Sequence, residues 1–361
     1  MLYNIRIMTK NNLLKIIVIV GPTASGKSDL AIGIARKYDG EIISADSRQV
    51  YTGMNLGTGK VPKDSSSNFQ FPRPRQRLAE GGPISNFQSN SKSKTQNQGY
   101  YSNGIKHHLI DAASPKKQFT ALDFKKLGTK ALFDIARRAK IAIVVGGTGF
   151  YIDILLGRMA VAQVPPNKKL RAKLEKQSAE QLFNRLSDLD PQRAESIDRY
   201  NKRRLMRALE IILITGKPIS ESTHNPQSKA YNLLWIGLKP KNLEKRIKKR
   251  LDQRLKIGMV KEVEKLHKQG VDWKRLDAFG LEYRWISRWL IQNAKISAKG
   301  GSASGGKGFK NSDEYKNLLR DIIKYSKRQM TWFKRNKEIH WLTPSADGNK
   351  TAKELTGKFL N

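Results

Sequence analysis

The chain has 361 residues, contains no cysteine and carries 69 Lys and Arg against 31 Asp and Glu, a formal net charge of +38. The missing cysteines exclude disulfides, thiolate metal ligands and a cysteine nucleophile. The most apolar stretch, residues 13–20, is too short to span a membrane and leads into a glycine-rich loop, so we expect no signal peptide and a cytoplasmic location. Because the basic excess is spread along the chain, we expect a polyanionic partner, nucleic acid before a membrane surface.

The first part of the chain alternates strand and helix patterns. A β-branched run ends in a glycine-rich loop, a helical pattern follows, and a short strand, a second helix and a second buried strand come later, over residues 15–20, 28–38, 41–45, 124–140 and 141–145. Strands that alternate with helices predict an α/β fold with a parallel sheet flanked by helices. In such a sheet the chemistry lies at the carboxyl ends of the strands.

Helical patterns then dominate until the strand pattern returns at residues 233–238. They cover 167–176, 179–189 and 202–215. We interpret residues 160–232 as an all-helical subdomain inserted into the α/β core.

The remaining boundaries follow from composition. We expect the core over 13–159, its return with C-terminal helices over 233–342, and a tail over 343–361. Residues 64–99 and 293–313 are rich in Ser, Asn, Gly and Lys and have few apolar residues, so they are predicted to be flexible insertions.

The glycine-rich loop after the first strand matches the pattern GxxxxGKS/T in full. Backbone N–H groups of such a loop converge on phosphate oxygens, while Lys27 supplies a cation and the Ser28 hydroxyl can ligate Mg²⁺. The loop therefore predicts a diphosphate or triphosphate site. Its residues are Gly21, Pro22, Thr23, Ala24, Ser25, Gly26, Lys27 and Ser28.

The usual partner of such a loop in nucleotide hydrolysis is an apolar strand that ends in a Mg²⁺-binding Asp. Here the strand over 141–145 ends in Gly146-Gly147-Thr148-Gly149 instead. The carboxylate follows the earlier strand, as Asp46. There it is placed to act as a general base, or as a turn or helix-capping residue. These two motifs leave the reaction open.

Several motifs occur in a fixed order along the chain. They are GPTASGKS at 21–28, ADSRQVY at 45–51, GMNLGTGK at 53–60, HHLID at 107–111, GGTGFY at 146–151, and basic blocks that begin at Arg203, Lys245 and Lys327. The ordered set resembles the tRNA dimethylallyltransferase (tRNA isopentenyltransferase) family, and the resemblance covers residues 15–342 apart from the two insertions. The zinc finger of some eukaryotic members is missing, so the bacterial type is the better match.

The resemblance implies a reaction. A dimethylallyl group would move from dimethylallyl diphosphate to the exocyclic N6 amine of the adenine immediately 3′ of the anticodon, in tRNAs that read codons beginning with U. The glycine-rich loop over residues 21–28, a P-loop, would hold the allylic diphosphate rather than ATP, with Mg²⁺ as cofactor. Displacement then occurs at carbon, which accounts for the missing hydrolytic Asp. The resemblance also implies a monomer.

The resemblance implies roles for individual residues as well. Asp46 would be the base, Thr23 would bind the bridging oxygen, and Arg250 would stabilise the diphosphate, with Arg246 and Arg254 as alternatives. The implied tRNA contacts are Asp46, Ser47, Arg48, Gln49, Thr148, Arg171, Arg203, Arg204 and Arg207. For the arginines, a solvated helix surface is the competing interpretation.

One stretch departs from the family pattern: residues 279–284 read Phe-Gly-Leu-Glu-Tyr-Arg in place of Ile-Gly-Tyr-Lys-Glu, which leaves the packing there open. Three other functions compete, namely an isopentenyltransferase acting on free adenine nucleotides, a P-loop nucleotide kinase and a non-catalytic RNA-binding protein. The first needs neither a helical subdomain nor a charge of +38. The last does not account for Lys27, Ser28 and Asp46 together.

Overall fold

Seven strands form one sheet within the residues that the computed structural model describes, 13–64, 99–219, 231–297 and 305–361. The strands are β1 (Leu14–Val20), β2 (Gly40–Ser44), β3 (Tyr100–Ser102), β4 (Ile105–His108), β5 (Ile141–Gly146), β6 (Tyr231–Leu238) and β7 (His340–Leu342). Their order is β3-β4-β2-β5-β1-β6-β7. Only the β3–β4 pair is antiparallel. The predicted α/β fold with a largely parallel sheet is confirmed.

Fourteen helices accompany the sheet in the described part of the chain, and none of them is long and apolar enough to cross a membrane. They are α1 (Lys27–Lys37), α2 (Ala121–Arg137), α3 (Gly149–Leu155), α4 (Lys168–Glu175), α5 (Ala179–Leu189), α6 (Pro191–Ser196), α7 (Lys202–Thr215), α8 (Leu243–Ile257), α9 (Met259–Lys268), α10 (Trp273–Phe279), α11 (Leu281–Ser297), α12 (Gly305–Lys310), α13 (Asp313–Phe333) and α14 (Ala346–Leu360).

Strand β1 is central and buried on both faces, which explains its nearly continuous apolar sequence. Because side chains alternate along a strand, Ile16, Val18 and Val20 pack with α2 and α3, whereas Ile17 and Ile19 pack with α1 and α14. The strand pairs with β5 on one side and β6 on the other. The loops that follow β1, β2 and β5 therefore emerge side by side at the carboxyl edge of the sheet.

The C-terminal helices α8 to α13 pack around a hydrophobic cluster of their own. Val50, Tyr51 and Met54, from the segment after β2, are buried in the same cluster. This packing holds the segment that follows Asp46 against α8.

The three helices predicted within residues 160–232 are present, and α4 to α7 share a separate apolar core that includes Leu182, Leu186 and Leu209. Beside this core the fully buried carboxylate of Glu210 binds three donors. It accepts hydrogen bonds from Arg171 at 2.7 and 2.8 Å and from Arg207 at 2.6 Å. The third donor is the backbone N–H of Asn167, at 2.7 Å.

The prediction of a flexible insertion over residues 293–313 is wrong for its described parts. Residues 293–297 continue α11, and α12 and the start of α13 occupy 305–313, while 298–304 lie outside the described residues. The reason is Phe309, whose fully buried ring packs edge-on against Trp289 and Tyr315. A single buried aromatic residue among glycines changes the composition very little, so the composition did not predict a helix here. Residues 65–98 of the other predicted insertion also lie outside the described residues.

The predicted tail over residues 343–361 is instead the helix α14, capped by Ser345, whose hydroxyl accepts from the Gly348 N–H. On its contact face Ala352 and Thr356 are fully buried, and the partly buried Leu355 and Phe359 pack against the same hydrophobic cluster. Tyr38 donates a hydrogen bond to the carbonyl oxygen of Lys353 at 2.6 Å. This apolar face extends over only about two turns, and the sequence pattern did not indicate the helix.

We predict that Glu210 stabilises the helical subdomain in a pH-dependent way. Burial alone raises the pKa of this carboxyl group, but the hydrogen bonds from Arg171, Arg207 and Asn167 outweigh it and lower the pKa to about 2. The stabilisation is therefore complete above the ordinary pKa of 4.5 and is lost as the pH falls toward 2. At pH 7, Glu210→Gln should lower the free energy of unfolding by about 3 kcal/mol, because two arginines lose their partner.

Urea denaturation between pH 7 and pH 3 measures this effect. The difference in the free energy of unfolding between Glu210→Gln and wild type should become smaller below pH 4.5. Glu195→Gln, at an exposed carboxylate on α6, is the matched control and should leave the free energy of unfolding almost unchanged. A difference that stays constant across this pH range would contradict the assignment.

Candidate active site

A cavity of about 670 Å³ opens at the carboxyl edge of the sheet, which is an ordinary size for a small-molecule site. Its walls come from the P-loop, the segments after β2 and β5, and the helices α8 and α13. The polar lining includes Thr23, Lys27, Ser28, Asp46, Gln49, Arg246, Arg250, Tyr325 and Gln329.

The P-loop bends tightly between β1 and α1. Ala24 and Gly26 both have left-handed backbone conformations, with φ of 61° and 91°. At Gly21 a Cβ atom would lie 2.6 Å from the carbonyl oxygen of Leu238, so only glycine fits this close approach to β6. The Lys27 ammonium donates to the carbonyl oxygen of Pro22 at 2.6 Å and so stays beside its own loop. Of the predicted residues, 23–28 line one side of the cavity, whereas Gly21 and Pro22 do not line it.

Lys27 is held in an environment that disfavours its positive charge. Burial and, to a smaller extent, the neighbouring Arg250 lower the pKa of this ammonium group to about 7, while Asp46 acts in the opposite direction. Burial also lowers the pKa of the Arg250 guanidinium. Two partly desolvated cations beside a P-loop form a strong binding site for an anion.

Asp46 is the second residue after β2, and its two oxygens have different surroundings. Oδ1 accepts the backbone N–H groups of Arg48 at 2.9 Å and of Gln49 at 3.3 Å, so the turn-capping interpretation is correct for this atom. No donor among the described residues binds Oδ2, and the residue lines the cavity. One carboxylate therefore both fixes the turn and presents an oxygen to a ligand.

The other residues predicted near Asp46 gather around it. Thr148, after β5, accepts the backbone N–H of Ser47 at 3.3 Å. The Arg48 guanidinium lies 5.9 Å from the centre of the Tyr325 ring. Burial raises the pKa of the Tyr325 hydroxyl and the charge of Asp46 raises it further, so this hydroxyl stays protonated near neutral pH. Tyr325 was not predicted from the sequence.

The three arginine candidates on α8 have different environments. Arg250 lines the cavity and donates to the carbonyl oxygen of Gly59 at 2.9 Å. Arg246 also lines the cavity and donates to the carbonyl oxygen of Ala24 at 2.9 Å. Arg254 does not line it and pairs with Glu282 at 2.9 Å. The geometry therefore favours Arg250 and Arg246 as diphosphate ligands.

None of the four arginines predicted in the helical subdomain lines the cavity. Arg171 and Arg207 both pair with the single carboxylate of Glu210. Arg203 and Arg204 lie exposed at the start of α7, with no side-chain partner in the described part of the chain. Their contacts with tRNA stay predictions.

Gln329 is a site residue that sequence reasoning missed. Its Oε1 accepts the N–H of Thr23 at 2.9 Å, and its Nε2 donates to the carbonyl oxygen of Gly147 at 2.9 Å. It thereby joins the P-loop to the loop after β5. The block over residues 327–333 was noticed as a family motif, but nothing in its spacing assigned this role.

Glu282 explains the stretch that departs from the family pattern. Its buried carboxylate pairs with Arg254 at 2.9 Å and with Arg48 at 3.6 Å. The adjacent Tyr283 is fully buried and donates to Glu262 at 2.8 Å. The substituted residues are therefore well packed, and they link α11 to the segment that follows Asp46.

Comparison with known proteins places the chain in a family. The profile of the IPP transferase family matches residues 90–336, and that of the isopentenyl transferase family matches residues 14–70. A protein of Acetivibrio thermocellus named tRNA dimethylallyltransferase is 35% identical over 336 residues, 91% of each chain. The chain belongs to the IPP transferase family.

Solved structures of this IPP transferase family share the fold. The tRNA isopentenylpyrophosphate transferase of Bacillus halodurans is 28% identical, with a TM-score of 0.58 over 96% of this chain and 97% of that one. The Staphylococcus epidermidis protein is 31% identical, with a TM-score of 0.56 over 96% and 99%. A eukaryotic dimethylallyltransferase acting on tRNA is 24% identical and shows the same fold, with a TM-score of 0.69 over 96% and 79%.

We predict that diphosphate binding is coupled to protonation of Lys27. With a pKa of about 7 the free lysine is largely neutral at pH 8, and an anionic ligand restores its charge. Titration calorimetry with inorganic diphosphate in two buffers of different ionisation enthalpy measures the proton uptake. Wild type should take up close to one proton more than Lys27→Arg, because arginine is always charged. Equal uptake by the two proteins would contradict the prediction.

We predict that Gln329→Met weakens both the fold and diphosphate binding. Methionine fills the same space but leaves the Thr23 N–H and the Gly147 carbonyl unpaired, which should lower the free energy of unfolding by about 2 kcal/mol. Urea denaturation and calorimetric titration with diphosphate test this. Gln253→Met is the matched control, since Gln253 lines the same cavity without a side-chain hydrogen bond among the described residues. Similar losses in both variants would refute a bridging role.

Proposed function

We propose that this protein transfers the dimethylallyl group of dimethylallyl diphosphate to the exocyclic N6 amine of the adenine immediately 3′ of the anticodon, in tRNAs that read codons beginning with U. Diphosphate is the second product. The observation that carries the proposal is one cavity shared by an intact P-loop and the carboxylate of Asp46, in a member of the IPP transferase family.

The P-loop side of the cavity holds the leaving group. As the bond between the allylic carbon and oxygen lengthens, negative charge collects on the diphosphate, and donors aimed at it lower the barrier. The backbone N–H groups of residues 24–28, together with Lys27, Arg250 and Arg246, supply that stabilisation. Thr23 binds the bridging oxygen.

Asp46 acts on the other substrate. The lone pair of the adenine amine is delocalised into the ring, so the amine is a weak nucleophile and gains from a base that accepts its proton. As the nitrogen–carbon bond forms and the carbon–oxygen bond breaks, that proton passes to the Asp46 carboxylate. Before this reaction, the adenine must leave its stacked position in the anticodon loop. Ser47, Arg48, Gln49 and Thr148 surround Asp46 and contact the extruded nucleotide.

The residues of the cavity fit a Mg²⁺ ion that arrives with the diphosphate. Mg²⁺ is usually held by one or two protein oxygens together with phosphate oxygens and water, and the Ser28 hydroxyl and the Asp46 carboxylate line the same cavity. Ser28 is the residue we assign to it. When bound, the ion would neutralise part of the diphosphate charge.

The tRNA is held by the basic surface outside the cavity. Arg203 and Arg204 are free to pair with loop phosphates, while Arg171 and Arg207 contact RNA through the edges that Glu210 leaves exposed. The net charge of +38 favours such a partner. We expect the protein to act as a monomer in the cytoplasm.

Transfer to free adenine nucleotides is the less favoured function. The isopentenyl transferase profile matches only residues 14–70, around the P-loop and Asp46. The IPP transferase profile covers residues 90–336 and includes the whole helical subdomain. The relatives that match over nine tenths of the chain are named for tRNA.

We predict that Asp46→Asn abolishes most turnover while tRNA affinity is largely kept. The amide oxygen still caps the turn, but the side chain no longer accepts a proton, so kcat should fall by about 10²- to 10⁴-fold. Single-turnover transfer of labelled dimethylallyl and anisotropy binding of an anticodon stem-loop measure the two effects. Asp29→Asn, at another carboxylate of the same cavity, is the control, and its kcat should fall far less. Retained turnover in Asp46→Asn would remove Asp46 from the role of base.

The same transfer assay tests the substrate. Wild-type protein with Mg²⁺ should label the stem-loop but not AMP, and replacing the target adenine by guanine should abolish the label. Label on AMP would instead assign the protein to the free-nucleotide enzymes. No transfer to either substrate, by a protein that binds ATP, would indicate a P-loop kinase.

A further inference from the structure

The short segment that leads into α7 presents an aromatic ring to solvent. Tyr200 is 81% exposed, the highest exposure of any large hydrophobic side chain in the described residues. Its backbone is nevertheless fixed, because the Tyr200 N–H donates to Asp198 Oδ1 at 3.1 Å. Asn201 then caps α7 by accepting the N–H of Arg204 at 3.3 Å. The ring is therefore held out on a well-anchored turn.

One guanidinium group lies close to this ring, and two more arginines follow it in the chain. Arg199 lies 5.7 Å from the centre of the Tyr200 ring and 5.0 Å from that of Phe183, so it rests between two aromatic side chains. Arg203 and Arg204 follow in the first turn of α7, both exposed and without a side-chain partner among the described residues. An aromatic face beside unpaired arginines has the composition of a surface that binds single-stranded nucleic acid.

We propose that Tyr200 is a stacking platform for an unpaired base of the tRNA substrate, while Arg203 and Arg204 bind the phosphates next to that base. This inference rests on the proposed function. Every base offers a π-face to an aromatic ring, and the planar guanidinium of arginine both stacks and pairs with phosphate. Tyr200 does not line the cavity, so the stacked base is a different one from the adenine that reacts at Asp46.

Substitutions at Tyr200 test the stacking itself. Tyr200→Ala should weaken binding of the anticodon stem-loop by about tenfold, whereas Tyr200→Phe and Tyr200→Trp should bind like wild type. Tyr200→Leu introduces an apolar side chain without a π-face, so it should weaken binding of the stem-loop as much as Tyr200→Ala does. Leu213→Ala, at an exposed apolar residue near the other end of α7, is the control and should leave affinity unchanged. Because the Tyr200 ring is solvent-exposed, the thermal midpoint should not move in any Tyr200 variant.

Salt dependence separates stacking from charge. The slope of log affinity against log salt should be the same for Tyr200→Ala and wild type, whereas Arg203→Ala and Arg204→Ala should each reduce it by about 0.7. Full affinity in Tyr200→Ala or in Tyr200→Leu would overturn the proposal, as would a changed slope in Tyr200→Ala.

Wild type is tested for transfer to the same stem-loop. If it transfers normally while Tyr200→Ala binds normally, the stacking inference fails and the proposed function stands. If wild type neither binds nor labels the stem-loop, the proposed function itself fails.

Discussion

The two hydrogen bonds of Gln329 join the loops between which the cavity is formed. Its amide connects the N–H of Thr23 to the carbonyl oxygen of Gly147, and these loops follow the neighbouring strands β1 and β5. The approach is so close that a Cβ atom at Gly147 would lie 2.1 Å from the Gln329 amide nitrogen. Since Gln329 comes from α13, near the end of the chain, the phosphate site is complete only after the C-terminal helices have packed against the sheet.

Charge is distributed differently in the two parts of the molecule. In the cavity, burial lowers the pKa of Lys27 and of Arg250, so their charged forms gain from a bound anion. In the helical subdomain, Arg171 and Arg207 share the carboxylate of Glu210, and this pairing stabilises the fold. The arginines most available to RNA are those without a protein partner.

The sequence was most informative where a function depends on local order. A β-branched strand, a glycine-rich loop and a helix are contiguous, so the P-loop was predictable, and Asp46 was predictable because it is the second residue after β2. Gln329 and Glu282 were not, since their partners lie far away in the chain and no spacing rule connects them. The helix α14 was also missed, because its contact face is short and combines the small residues Ala352 and Thr356 with only two larger apolar ones, Leu355 and Phe359.

The chemistry in the cavity is the same whether the adenine is free or part of a tRNA, so the choice of substrate must be made elsewhere. A base in an anticodon loop is stacked, and its extraction costs a few kcal/mol before any bond is formed. Contacts with remote parts of the substrate can offset that cost, provided that they form together with the extruded base. We expect residues on α7 and the turn before it to make such contacts, outside the cavity. A free nucleotide offers no stacked base to extract and no loop to hold, and an enzyme for it gains nothing from the helical subdomain.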